Sequence, residues 1–205
     1  MILYNYDLDD NCYRVRLLAA VLGMDLPVLG LDIFPGKDHF SPEMLARNPA
    51  GTLPVLEDGA LVLTSLPAIF TYLSDTQGGA FQPQDPVAKA QMLEWLTFAA
   101  TALASASKAR AISLMAVPGD LEAERTAARA ALRRMDDAMG RITLTGRAWF
   151  AGDAISLADL ALFPAFALSR DFGVDHDEFP ALRLWARRVR TIKGFVTMPG
   201  IPDYH

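Results

Sequence analysis

The chain has 205 residues, 52% of them hydrophobic, and sets 19 Lys and Arg against 24 Asp and Glu for a formal charge of −5. That length supplies one large or two small domains, and that apolar content builds a sizeable core and excludes a disordered chain. The acidic balance fits neither nucleic acid nor an anionic membrane surface, both of which call for clustered positive charge.

Arg133-Arg134 and Arg187-Arg188 fall in helical patterns rich in Ala and Leu and read as solvated faces. Cys12 is the single cysteine, so no internal disulfide can form. The opening "MILYNY" lacks a basic segment followed by an apolar run, and no apolar run reaches the roughly 18 residues that span a bilayer. A soluble, cytoplasmic protein is expected. His39, His176 and His205 are scattered without HxxxH or CxxC spacing, so no metal site is expected.

Ile2–Tyr6 is the first strand candidate. From Asn11 to Leu22, the apolar residues Val15, Leu18, Ala19 and Leu22 recur at helical spacing until Gly23 stops them. Leu26–Ile33 is a second strand, which makes a parallel βαβ unit. Ser41 and Pro42 take the cap and first-turn positions of a short helix that ends near Asn48-Pro49. Val55–Glu57 and Leu61–Leu63 flank Asp58-Gly59, a hairpin signal, and a helix from Leu66 to Asp75 follows.

"TQGGAFQPQDP", Thr76 to Pro86, is the linker candidate. Beyond it the pattern is helical throughout. One long Ala-rich helix is expected from Val87 to Val117, broken by Pro118-Gly119-Asp120, then helices from Leu121 to about Ile142, from Leu157, and from Pro180 to about Ile192. Ser156 and Asp159 stand as N-cap and N3 of a capping box, with Ile155 and Leu160 at the staple positions. Asp159 is therefore structural. The expected organisation is an α/β domain over 1–76, a linker over 77–86 and an all-α domain over 87–205.

Pro54 sits inside "TLPVLE", where a missing N–H argues against a central strand. A cis X–Pro bond there turns the preceding backbone outward, so that the N–H and C=O of Leu53 can hold an extended, peptide-like ligand as an added strand. An ordinary trans proline opening an edge strand is the alternative.

"NPAGTLPVLEDGALVLTSLPAIFTYL" (Asn48 to Leu73), "FAGDAISLADLAL" (Phe150 to Leu162) and "IKGFVTMPG" (Ile192 to Gly200) resemble, in this order and spacing, the glutathione S-transferase family across essentially the whole chain. The resemblance implies a thioredoxin-like N-terminal domain with a cis-proline at Pro54, and an all-α C-terminal domain that walls the electrophile site. It also implies glutathione as co-substrate, a small electrophile as its partner, and a homodimer. Leu53 would hold the cysteinyl part of glutathione through its backbone. Ser65, at a helix start where free N–H groups favour an anion, would hold the γ-glutamyl carboxylate. Thr64 replaces the acidic residue usual before that serine, while His39 and Thr52 lie where the family contacts the glycyl end.

Glutathione chemistry needs a thiolate, and a free thiol titrates near about 8.5. "NCYRVR", Asn11 to Arg16, resembles the helix-1 start "NCYKVR" of bacterial relatives, in which Ser-Gly precedes the asparagine. Here Asp9 and Asp10 stand instead, and the usual hydroxyl is absent. These carboxylates either face the sulfur and raise its pKa, or are helix-start residues directed to solvent. Asn11, as amide donor, and Cys12, in the first helical turn, are the catalytic candidates. A reactive Cys12 would imply thiol–disulfide exchange with glutathione, whereas a small buried Cys12 would not. Tyr4 and Tyr6 sit in a strand and read as packing residues. Trp95, Phe98, Thr101, Ser105 and Arg110 are the candidates for the electrophile pocket. Glutathione conjugation is the favoured function; an oxidoreductase using Cys12 and a non-catalytic binding or assembly protein are the rivals.

Overall fold

Strand β1 (Ile2–Asn5) is the inner strand on which the first half is built, and it buries Leu3, Tyr4 and Asn5. In this computed structural model, which describes residues 1–203 and leaves Tyr204 and His205 outside the described residues, β1 pairs in parallel with β2 (Val28–Gly30). On its other side β1 pairs antiparallel with β3 (Val55–Asp58), which pairs antiparallel with β4 (Leu61–Leu63), giving the order β2-β1-β3-β4. The strand expected over Leu26–Ile33 contracts to three residues. It is an exposed edge strand, and Pro27, which has no N–H, offers only its carbonyl, to Leu3 N at 2.9 Å.

Helix α1 (Asp10–Leu22) starts at an Asp9 cap and ends at Gly23, whose φ of 69° and N–H bond to Ala20 O close the last turn. Its Val15, Leu17 and Leu18 share one core with Leu3 and Leu56 of the sheet and with Ile69 and Phe70 of α3 (Leu66–Thr76). On the opposite sheet face, α2 (Pro42–Arg47) is capped by Ser41 and places Met44 against Tyr4 and Val55. Tyr4 packs as expected: its hydroxyl donates to Glu57 at 3.0 Å, and Arg47 lies over its ring and pairs with Glu57 at 2.6 Å.

The second half is helical: α4 (Pro86–Ala100), α5 (Ala104–Met115), α6 (Leu121–Leu144), α7 (Leu157–Ala167) and α8 (Pro180–Arg190). The single helix expected from Val87 to Val117 is thus two. The helix ends at Thr101 (φ −114°, ψ −74°), whose N–H and hydroxyl both bond back to Thr97 O, at 3.0 and 2.7 Å, and the fully buried Leu103 turns into the core. A hydroxyl bonded back to the preceding turn competes with the ladder, and the surrounding Ala and Ser side chains bury too little to hold the helix straight.

Helix α7 is buried over its whole length, which suits a sequence apolar on every face. Its capping box is present. Asp159 accepts from Ser156 N and Oγ at 3.0 and 2.9 Å, and also from Phe150 N at 3.1 Å and Trp185 Nε1 at 3.0 Å. A carboxylate fully committed to holding α7, α8 and the loop that leads into α7 is structural. The core runs continuously from Leu3 to Met198, and α1 lies directly against α7. Among the described residues no helix is long and apolar enough to cross a membrane.

Candidate active site

The loop before β3 is organised by Asn48, which is only 5% exposed. Its Nδ2 donates to Thr52 O at 2.8 Å and Thr52 Oγ1 at 3.0 Å, its Oδ1 accepts from Ala50 N, and its own carbonyl accepts from Gly51 N at 2.9 Å. Gly51 has φ 60°, and a Cβ there would meet the Phe40 ring at 2.5 Å, so this close approach requires glycine. The Leu53–Pro54 peptide bond is cis. The β1–β3 register stops at Tyr4 and Val55, and among the described residues neither the N–H nor the C=O of Leu53 takes a partner. An extended segment of ligand can fill that pair.

Opposite this loop lies the start of α1. Asp9 Oδ1 accepts the Cys12 N–H at 2.7 Å. Asp10 turns inward, only 5% exposed, and accepts from Ser107 Oγ of α5 at 2.6 Å, with Arg14 Nη2 at 3.4 Å. Arg14 Nη1 also donates to Asn11 Oδ1. Because the carbonyl end of Asn11 is taken, its Nδ2 is the end available to the cleft, where a thiolate acceptor can use it. Just upstream, buried Arg110 bonds Leu8 O and pairs with Asp171 at 2.7 Å. The helical half therefore grips both residues that flank Asp9.

Neither carboxylate is simply solvated. Asp10 is spent on an interdomain contact, and Asp9 caps α1 while bordering the cleft. Burial, and next the Asp10 charge, push the Asp9 carboxyl up to about 6. Cys12 is 0% exposed, with its Sγ directed at Tyr4 O 4.0 Å away. Burial first, then the Asp9 carboxylate, hold its thiol well above the ordinary range. A mixed disulfide needs an accessible thiolate, so the catalytic role expected for Cys12 gives way to that of a small core residue.

The cleft has a volume of about 290 Å³ and is bordered by Asp9, Asn11, His39, Thr52 and Leu53 from the first half. A more apolar cavity of about 410 Å³, walled by Phe34, Phe40 and Pro118, shares Ile33, His39, Met115 and Val117 with it. Burial keeps His39 below the ordinary histidine range, and its ring lies 4.0 Å from that of Phe40. A separate, larger cavity of about 660 Å³ lies between the linker and the Arg147–Ile155 loop and shares no residue with the cleft.

The expected pocket residues fall elsewhere. Trp95 and Phe98 join an aromatic cluster with Phe150, centroids 5.2 and 4.7 Å from the Trp95 ring. Thr101 is exposed at the helix break, Ser105 is buried and bonded to Ala102 O, and Arg110 is engaged as described. Ser107, Lys108, Ala111 and Met115 of α5 wall the cleft instead. The break after α4 shifts which residues of this segment face the first half. Ser65 is the exposed N-cap of α3 and its hydroxyl makes no capping bond; the exposed Thr64 precedes it. Sequence reasoning missed Asn48, Ser107 and Lys108. Of these, only Asn48 carried a local signal, as an Asn-Pro turn former.

The family model for the glutathione S-transferase N-terminal domain matches residues 3–81, and that for the C-terminal domain matches residues 99–192. A maleylacetoacetate isomerase of Rhizobium meliloti is 33% identical over 205 residues, covering 95% of this chain and 93% of its own. Glutathione S-transferase 1 of Dianthus caryophyllus is 28% identical, covering 89% and 84%. The crystal structure of a possible glutathione S-transferase from Rhodopseudomonas palustris superposes with a TM-score of 0.85 at 30% identity, covering 98% of this chain and 90% of that one. With a thioredoxin-like sheet, a helical second half and these matches along nearly its full length, the chain belongs to the glutathione S-transferase family.

Proposed function

We propose that the chain binds glutathione in the cleft between the Asn48–Pro54 loop and the start of α1, and transfers its thiolate to a small electrophile seated in the adjoining apolar cavity. The observation that carries this reading is the convergence on one cleft of the unpaired Leu53 backbone and the Asn11 amide. The cysteinyl backbone of glutathione fills the first, which brings its sulfur to the second. Asn11 and the α1 N-terminus then stabilise negative charge on sulfur. The γ-glutamyl carboxylate goes to Ser65 and the start of α3, preceded by Thr64, and the glycyl end to His39 and Thr52.

Relatives with glutathione in their names support the co-substrate, and a buried, inert Cys12 disfavours disulfide exchange. The protein is expected in the cytoplasm and as a homodimer, with the exposed Leu61 and Val62 of edge strand β4 and Leu93 of α4 supplying apolar surface for the interface. Calorimetric titration with glutathione tests the site. A Kd below about 1 mM with turnover of an electrophile supports the reading. Absence of binding at several times that concentration overturns it in favour of a family fold without the chemistry.

The 33% identity to the R. meliloti isomerase favours a second reading, in which thiolate adds to an activated cis-alkene and leaves again after rotation. Conversion of maleylacetoacetate without net consumption of glutathione distinguishes it from conjugation.

A further inference from the structure

We propose that Asp9 is the proton carrier of this site: its carboxylate takes the thiol proton of bound glutathione and delivers it to the acceptor, which marks the acceptor as an activated alkene. This rests on the reading of the cleft as a glutathione site. Asp9 is a carboxylate, which both takes and gives a proton, whereas a neutral hydroxyl or amide at such a site only donates a hydrogen bond to sulfur.

The geometry leaves Asp9 little freedom to avoid a ligand. Its Oδ1 is held by the Cys12 N–H at 2.7 Å, which makes Oδ2 the atom for the thiol proton. Leu8 before it and Asp10 after it are tied to Arg110 and Ser107 of α5, which fixes the chain on both sides, and the bond from Cys12 N holds the carboxyl itself. It borders the same cleft as Asn11 and Leu53.

The charged and titratable groups around it sharpen the point. From α1 it faces Asp10, Arg14 and the Cys12 thiol, with Arg16 one turn on. From α5 come Lys108, paired with Glu124 at 3.7 Å, and Arg110, paired with Asp171 at 2.7 Å. The Lys37–Phe40 segment brings Lys37, Asp38 and a neutral-leaning His39. Of these cations, Arg14 pairs with Asp10 and Arg16 with Asp7, while Lys37 makes no ion pair among the described residues. A thiolate beside an ionised Asp9 would set two negative charges together in a partly buried cleft. Moving the proton from sulfur to Oδ2 keeps the pair at a single negative charge.

In the step that follows, the sulfur lone pair forms a C–S bond to the β-carbon of the alkene. The C=C pair moves toward the activating carbonyl to give an enolate. The enolate α-carbon takes the proton from Asp9, which returns to carboxylate, so the thiol proton ends on carbon and no other reactant is needed. Displacement of a halide from an aromatic ring ejects an anion and needs no proton at carbon, so it uses the first transfer, from sulfur to Asp9, but not the second.

The experiment compares wild type with Asp9→Asn and Asp9→Ser, both of which keep an N-cap oxygen for Cys12 N. Glutathione binding by calorimetry comes first. No binding by wild type overturns the underlying site and this proposal together. With binding in place, kcat/KM is measured toward an α,β-unsaturated ketone and toward an aryl halide across pH. The proposal expects both variants to lose activity toward both acceptors, with the loss toward the enone at least about 10-fold greater than that toward the halide, and the acidic limb of the enone profile to disappear. Equal losses on both acceptors, an unchanged enone rate, or wild-type turnover of the halide alone overturns it and leaves the glutathione site standing.

Discussion

Ser107 of α5 donates a 2.6 Å hydrogen bond to the buried carboxylate of Asp10 at the first turn of α1, ninety-seven residues away in sequence. This contact ties the helical half to the helix start that carries Asp9 and Asn11, so the cleft is shaped by both halves at once. Removing the hydroxyl leaves Asp10 buried with Arg14 as its remaining neighbour. Ser107→Ala is expected to cost about 1–3 kcal/mol, read as a lower urea midpoint, with weaker glutathione binding.

In the proposed complex Asn11 acts on charge that develops on sulfur rather than on the ligand's backbone. Asn11→Ala should lower kcat by about 10- to 100-fold while changing glutathione affinity much less. Steady-state kinetics beside calorimetry separate the two, and an equal loss in both would assign Asn11 to binding alone.

Asn48 touches no ligand in the proposed complex, yet it presents the Leu53 backbone by holding Thr52 twice. Asn48→Ala breaks three side-chain bonds of a buried residue. It should destabilise by about 1–3 kcal/mol and weaken glutathione binding with kcat largely preserved. Asn48→Asp, which loses the Nδ2 donor, should fail to rescue it.

Asp9 gives stability an unusual dependence on pH. Its folded pKa is raised to about 6 against 3.8 for an unperturbed carboxyl, so between those values the folded state holds more protons than the unfolded one. Stability from this group is therefore full at low pH and declines as pH rises through about 6. Asp9→Asn removes the penalty and keeps the cap. It should stabilise by the order of 1 kcal/mol at neutral pH and by little near pH 4, as denaturant titrations at the two pH values would record.

Gly194, in the tail after α8, has φ 84°, and a Cβ there would lie 2.6 Å from Ala20 O in the last turn of α1. The same tail accepts the Tyr13 hydroxyl at Val196 O at 2.7 Å. Gly194→Ala should lower the thermal midpoint by several degrees, equivalent to about 1–3 kcal/mol, whereas alanine at Gly140, where a Cβ meets nothing, should be neutral or mildly stabilising.

Much of this molecule is written locally. Caps at Ser41 and Ser156, the Asp58-Gly59 turn, the stop at Gly23 and the linker glycines each act within a few residues, so the order of elements and the position of Pro54 could be read directly. The same locality made the loop that presents Leu53 recognisable. The sequence alone could not show the break at Thr101–Leu103, because a run of Ala and Ser satisfies a helix in either geometry until a buried Leu103 selects one. Nor could it show that Asp10 turns inward, that Cys12 sinks beneath the sheet, or that Ser107 and Lys108 rather than Ser105 and Arg110 wall the cleft. Those outcomes depend on contacts between residues far apart in the chain, where burial and charge are set by what the opposite half brings near. Sequence by itself determined the family, most of the elements and the position of the Pro54 loop; tertiary packing alone decided which side chains border the cleft beside that loop and with what charge.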